Sequence, residues 1–346
     1  MKQEAIKVRR ACLGDIDSII EFIKNHYYIP NHVFTRRRDI FNDWHVQGEN
    51  VYFAIAEGTE SKMIYGILGY TLYSKALTPD VSLAIFQTIK SSDPALGIRL
   101  VLFVKSLYPD SLICSSGIVP NTRGLYEFLG YKTGKLKHYY RLNDLEEYKI
   151  AKIQKKEILP VKEEGYCMKH FHTIQAVRTA VNTEIFKTTR PYKDCAYIQE
   201  KYYDNIGYSY MVYGIFNHLK QCVGLLAGRE ILYGNRKCFK IVDYIGKDEE
   251  LGHCSKAFSD FIICADYEYM DFYQIGIDDT MMQRAGFLLN DGTENIIPQF
   301  FEPYVAKNID IFYFTTNTEL FHGYRCDGGQ ERPNFIGIDC EDYKHG

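Results

Sequence analysis

The chain opens with one short alternating strand and then changes period. IKVRRA (6–11) reads as an edge-like strand, and from Gly14-Asp15 the apolar positions Ile16, Ile19, Ile20 and Ile23 recur at helical spacing. Asp15 stands near the start of that helix, where the dipole favours a carboxylate. Thr35 is an N-cap candidate for a second helical stretch, RRRDIFNDWHV; the arginines of its first turn oppose the dipole and read either as a solvated face or as an anion-facing patch. VYFAIAE (51–57) and MIYGILGYTLYS (63–74) flank the turn residues GTESK as a hairpin, and VSLAIFQTIK (81–90) is a third strand. The loop SSDPA leads into an amphipathic helix over 96–108, SLICSSGIV (111–119) is a strand, Pro120-Asn121 opens a short helix, and KLKHYYRL (135–142) is the last strand of this half.

A Lys- and Glu-rich stretch, 143–165, reads as the connection between two halves, because the same pattern then recurs. YMVYGIF (210–216) matches VYFAIAE, CVGLLAGREI (222–231) matches YGILGYTLYS, and FKIVDYIG (239–246) matches VSLAIFQTIK. MDFYQIGI (270–277) matches SLICSSGI, and MMQRAGF (281–287) matches LYEFLGY. Gly97 precedes Gly130 by 33 residues and Gly252 precedes Gly286 by 34. An approximate duplication follows, with a first domain over 1–145, a linker over 146–165 and a second domain over 166–346.

Composition narrows the class. At 346 residues the chain is long enough for two domains; 46% hydrophobic and 25% charged residues exclude global disorder, and a net charge of −3 argues against general nucleic-acid binding. No apolar run approaches the ~18 residues of a membrane helix, and MKQEAIKVRR lacks a signal peptide's apolar core. The ten cysteines include no CxxC pair and read as small buried hydrophobes of a reducing, cytoplasmic protein without a metal. His170 and His172 share a strand face with no third ligand nearby.

GIVPNTRGLYEFLGY (117–131) resembles the last motif of the GCN5-related N-acetyltransferases, through Asn121, Leu125, Tyr126, Glu127, Leu129, Gly130 and Tyr131. The resemblance covers roughly residues 5–142, with a weaker echo over 166–290. It implies an α/β (α+β) fold: two tandem acetyltransferase-like domains, each a mixed, mostly antiparallel twisted sheet flanked by helices. It also implies that the third long strand splays from its neighbour and that the pantetheine arm of acetyl-CoA or another acyl-CoA lies in the gap. Phe86, Gln87, Thr88 and Ile89 would then face the arm. The pyrophosphate would meet the helix start at Ala95, Leu96, Gly97 and Ile98, where only Gly97 agrees with the family's glycine-rich loop. Asn121 would touch the arm and Tyr126 would protonate the leaving thiolate. A phenol, with a pKa of about 10, stays protonated at neutral pH and suits that role.

The second half departs from this pattern. Its corresponding loop is GKDEELG (246–252), whose three successive acidic residues repel a pyrophosphate, and Met282 stands where Tyr126 would. It reads as a domain that keeps the fold without the cofactor. The stretch 187–214 is dense in Tyr, Arg and Lys, which suits a phosphorylated sugar. His322, Arg325, Asp327, Gln330, Glu331 and Arg332 crowd around Gly328-Gly329 and read as an acceptor-binding loop. The expected function is N-acylation of a small amine, with a nucleotide-linked amino sugar of surface-polysaccharide synthesis as the favoured acceptor. The alternatives are a Fem-type aminoacyl transferase and a non-catalytic binding protein.

Overall fold

The computed structural model describes residues 4–89, 93–292, 294–301 and 304–328; Gln330, Glu331 and Arg332 lie outside them. The first half supplies β1 (Ile6–Arg10), β2 (Phe53–Gly58), β3 (Ile64–Leu72), β4 (Val81–Thr88), β5 (Ile113–Ile118), β6 (Lys132–Lys135) and β7 (Lys137–Leu142). The second supplies β8 (Cys167–His170), β9 (Met211–Phe216), β10 (Cys222–Tyr233), β11 (Arg236–Gly246), β12 (Tyr267–Ile275), β13 (Leu288–Leu289), β14 (Phe312–Thr315) and β15 (Gly323–Tyr324). The first sheet runs β1-β2-β3-β4-β5-β14-β6. The second runs β8-β9-β10-β11-β12-β7-β13, with β15 added beside β12. The two orders are the same, so the duplication read from the sequence is present in space.

The halves exchange one strand each. The segment expected to close the first sheet, 135–142, instead joins the other one: β6 ends at Lys135, and β7 pairs with β12, Phe272 opposite Tyr139. In return β14 lies between β5 and β6. The cause is local. Only Leu136 separates β6 from β7, and a hairpin needs at least two loop residues of the right turn chemistry. The chain therefore runs straight on into the neighbouring sheet.

Helices α1 (Ile16–His26), α2 (Arg38–His45), α3 (Leu96–Leu107), α4 (Arg123–Phe128) and α5 (Ser255–Cys264) cover the sheets. The apolar stripe of α1 buries Ile16, Ile19, Phe22 and Ile23 as its period requires. The arginines before and within α2 are spent locally: Arg36 on the Asn31 carbonyl at 3.0 Å, Arg37 on Asp39 and Arg38 on Asp17. They form a solvated face, not an anion patch. Much of the connection is part of the second half's wall. Ile150 and Ala151 are fully buried. The Glu268 carboxylate accepts the backbone N–H groups of Lys149, Ile150 and Ala151 at 2.7–2.8 Å.

Candidate functional site

In each sheet the central parallel pair separates into a V. β4 and β5 pair only at Val81 with Ile113 and Ser82 with Cys114. Beyond that point the Ser115 hydroxyl still reaches the Leu83 carbonyl at 2.7 Å, and then the strands part. A bulge in β4 accompanies the separation. Leu83 opposes Tyr70 and Phe86 opposes Leu68, so β4 carries one residue more than β3 across this stretch. A bulge breaks the ladder locally and turns backbone groups away from it.

The two Vs differ in what fills them. In the second, β15 pairs with β12 at Gln274 and Ile275, and the Cys326 N–H donates to Val242 of β11 at 3.3 Å. The chain's own tail thus occupies the place between β11 and β12. The tail then crosses to the first V, where the Asp327 carbonyl accepts the Ser116 N–H and Gly328 bridges to Ser116. A Cβ on Gly328, whose φ is +155°, would fall 2.1 Å from the Ser116 carbonyl oxygen, so the approach requires glycine. Among the described residues, the β5 edge of the first V alone is taken in this way.

A buried ion group fixes the crossing. Lys193 Nζ lies 2.6 Å from Asp243 Oδ1 and 2.9 Å from Asp327 Oδ1, while the Tyr202 hydroxyl donates to Asp243 Oδ2 at 2.5 Å. Burial opposes the Lys193 charge, but Asp243 and Asp327 outweigh it and hold the ammonium's pKa above the ordinary lysine value. The residues expected to form an open acceptor loop are placed differently. Arg325 and Asp327 are buried, Arg325 on Gln299 Oε1 at 2.8 Å and Asp327 Oδ2 on the Tyr324 N–H at 2.7 Å. His322 Nε2 lies 2.9 Å from Asp248 Oδ1, at the acidic loop of the second half. The signal misread was glycine beside polar residues: Gly328 serves a close backbone approach, not an exposed turn.

Around the first V the other sequence-derived positions converge. Phe86, Gln87 and Thr88 end β4 beyond its last pairing with β5, and Ile89 follows. Ala95 caps α3, and Leu96, Gly97 and Ile98 form its first turn. The Asp93 carboxylate accepts the Ala95 N–H at 2.9 Å and binds Arg99 at 2.5 Å, so its charge is matched. Gly97 packs inward: a Cβ there would meet Phe86 at 3.0 Å and Leu125 at 3.2 Å. Asn121 is exposed, in the turn Pro120–Thr122 before α4. Tyr126 is buried, its ring stacked on Phe314, and its hydroxyl has no hydrogen-bond partner among the described residues. Burial pushes its pKa above the ordinary phenol value, so the proton stays on.

Behind β4 a pocket of about 80 Å³ opens between the halves. Thr71, Leu72 and Tyr73 of β3 and its end, Ser82 and Ala84 of β4, Asp43 and Trp44 of α2, Tyr197, Glu200, Lys201 and Asn205, and Cys326 and Gly328 of the tail line it. The aromatic and basic stretch 187–214 therefore does face a cavity. Asp43, Trp44, Ser82 and Glu200 escape sequence reasoning, because nothing local tells that 195–205 packs opposite α2.

No family model matches the sequence, and no curated protein matches it. Solved structures do. A GCN5-related N-acetyltransferase from Anabaena variabilis aligns over 90% of this chain and 72% of its own, at 12% identity and a TM-score of 0.56. A conserved protein from Enterococcus faecalis, described as a probable N-acyltransferase, aligns over 89% and 72%, at 11% identity and a TM-score of 0.54. At such identities the likeness is one of fold.

Proposed function

We propose, on the premise that the chain has the GCN5-related N-acetyltransferase fold, that it is an acyl-CoA-dependent N-acyltransferase whose first half does the chemistry. One observation supports this reading: of two like Vs, the second is filled by the chain's own tail, while in the first no described residue pairs with the free edge of β4 beyond Ser82. An acyl-CoA arm lies along Phe86–Ile89 as an added strand, with its pyrophosphate at the first turn of α3, where backbone N–H groups and the dipole attract anions. Asn121 stands beside the arm. β4 amides near the bulge stabilise the tetrahedral oxyanion, and Tyr126 returns a proton to the thiolate.

The acceptor is an amine entering through the pocket behind β4, which meets the V at Ser82 and Ala84. A nucleotide-linked amino sugar, the acceptor suggested by the sequence, would meet Lys201 there as the one cation among the described lining residues, beside Asp43 and Glu200. A reducing cytoplasm suits the free cysteines. Among the described residues no helix is long and apolar enough to cross a membrane. The test is a thermal shift with acetyl-CoA. At a hundredfold excess over Kd, linkage gives about 2.7 kcal/mol of stabilisation; no shift with any acyl-CoA overturns the reading.

A further inference from the structure

Two carboxylates line the pocket, and they are in different states. Glu200 is engaged, 2.8 Å from Lys75 Nζ and 3.3 Å from the Gln47 amide. Asp43 makes no hydrogen bond or ion pair with any described residue. It is exposed on α2, one turn beyond Asp39, and lines the same cavity as Ser82 and Ala84 of β4. The walls are Leu72, Trp44, Tyr73 and Tyr197, and the Lys201 ammonium lies over the Trp44 ring, 4.1 Å from its centre. A carboxylate with no partner among the described residues, lining an aromatic pocket that includes Ser82 and Ala84 of β4, is placed to receive a cationic group.

We propose that Asp43 is the general base of the reaction and that the acceptor is a primary amine on an uncharged, apolar or aromatic body; this rests on the acyltransferase reading. The acceptor arrives as an ammonium, and Asp43 takes one proton from it. The neutral amine attacks the thioester carbonyl and forms the C–N bond. Collapse of the tetrahedral adduct breaks the C–S bond. The thiolate takes a proton from Tyr126, and the phenolate recovers one from the adduct's nitrogen. Asp43 then releases its proton to water, so one amide, one thiol and one proton result.

The charged groups around Asp43 agree with that task. Burial against the pocket wall pushes its carboxyl up to about 6; Asp204 and Glu200 from the opposing segment and Asp39 from its own helix add to the rise, and Lys201 opposes it. The group keeps access to solvent, so its proton can leave. A base is most effective with a pKa near the working pH. The same surroundings disfavour a nucleotide-linked acceptor, whose pyrophosphate would meet carboxylates.

The experiment compares the unmodified protein, Asp43→Asn and Asp43→Glu, with acetyl-CoA and phenethylamine as the probe amine. The unmodified protein should show an acidic limb near pH 6 in kcat/KM. Asp43→Asn should lose that limb and fall by roughly 10²–10⁴-fold, Asp43→Glu should recover part of the rate, and all three should keep the acetyl-CoA thermal shift. An unchanged limb and a rate within about twofold in Asp43→Asn, with the shift retained, overturn the role of Asp43 alone. Absence of the shift in all three overturns the acyltransferase reading and this base with it. Turnover of a nucleotide-linked amino sugar in preference to phenethylamine overturns the acceptor class.

Discussion

The ring of Tyr126 lies flat on the ring of Phe314, their centres 3.9 Å apart and their planes 8° from parallel. The first belongs to the motif-bearing helix of the first half, the second to the strand lent by the other half. The candidate acid is therefore positioned by a residue of the second domain.

Phe314→Ala removes that support. Phe314 is fully buried, and truncating a core phenylalanine costs about 3–5 kcal/mol. Denaturant unfolding should show this loss. At a temperature where the variant stays folded, kcat should fall further than the acyl-CoA KM rises, because the cofactor edge on β4 is untouched.

Tyr126→Phe separates chemistry from packing. The hydroxyl has no hydrogen-bond partner among the described residues, so removing it should leave the melting temperature nearly unchanged. Turnover should fall by roughly 10²–10⁴-fold with little change in the acyl-CoA KM. Unchanged turnover makes Tyr126 a core aromatic only.

A charge placed at the start of α3 tests the anion site. Gly97 is a poor site for it, because a Cβ there would lie 3.0 Å from Phe86 and 3.2 Å from Leu125 and force both to shift, mixing repacking with the charge effect. Ala95→Glu adds a carboxylate at an exposed cap position that the dipole tolerates. It should abolish the acetyl-CoA thermal shift while the unliganded protein melts as before. A retained shift moves the pyrophosphate elsewhere.

Lys193→Met strands Asp243 and Asp327 in the core. Breaking a buried pair in this way costs about 3–5 kcal/mol near neutral pH. Burial already leaves the Asp243 carboxyl above the usual carboxylate range, despite Lys193 and with Asp327 adding to the rise. Without the ammonium it rises further. A carboxyl whose folded pKa is raised contributes stability below its unfolded pKa and loses it as pH rises through the folded value. Urea unfolding at two pH values should therefore find the variant's deficit smaller near pH 5 than near pH 8.

What the sequence shows and hides follows from the range of each cause. The motif 117–131 and the repeat of element order are local patterns, and the fold follows from them. The exchange of β7 for β14 depends on the missing turn at Leu136, a signal present but easily read as an uninterrupted strand. The burial of Ile150 and Ala151 within a charged stretch depends on Glu268, more than a hundred residues away. Asp43 looks like any polar position on an amphipathic helix until the segment bearing Lys201 packs across from it. Arg325 and Asp327 have the composition of a surface loop, and only their distant partners Gln299 and Lys193 place them inside.

The lent strands also set an order of events for the nascent polypeptide. The Ile113 N–H finds its partner in Thr316, 203 positions later. Until the ribosome has delivered that segment, β5 and β6 lack the strand that joins them, and the Tyr126 ring lacks its cover. Splitting the gene between the halves would orphan β7 on one fragment and β14 on the other. Each fragment would present an unpaired edge that matches its missing counterpart, so recombination between two full chains is the natural error of assembly.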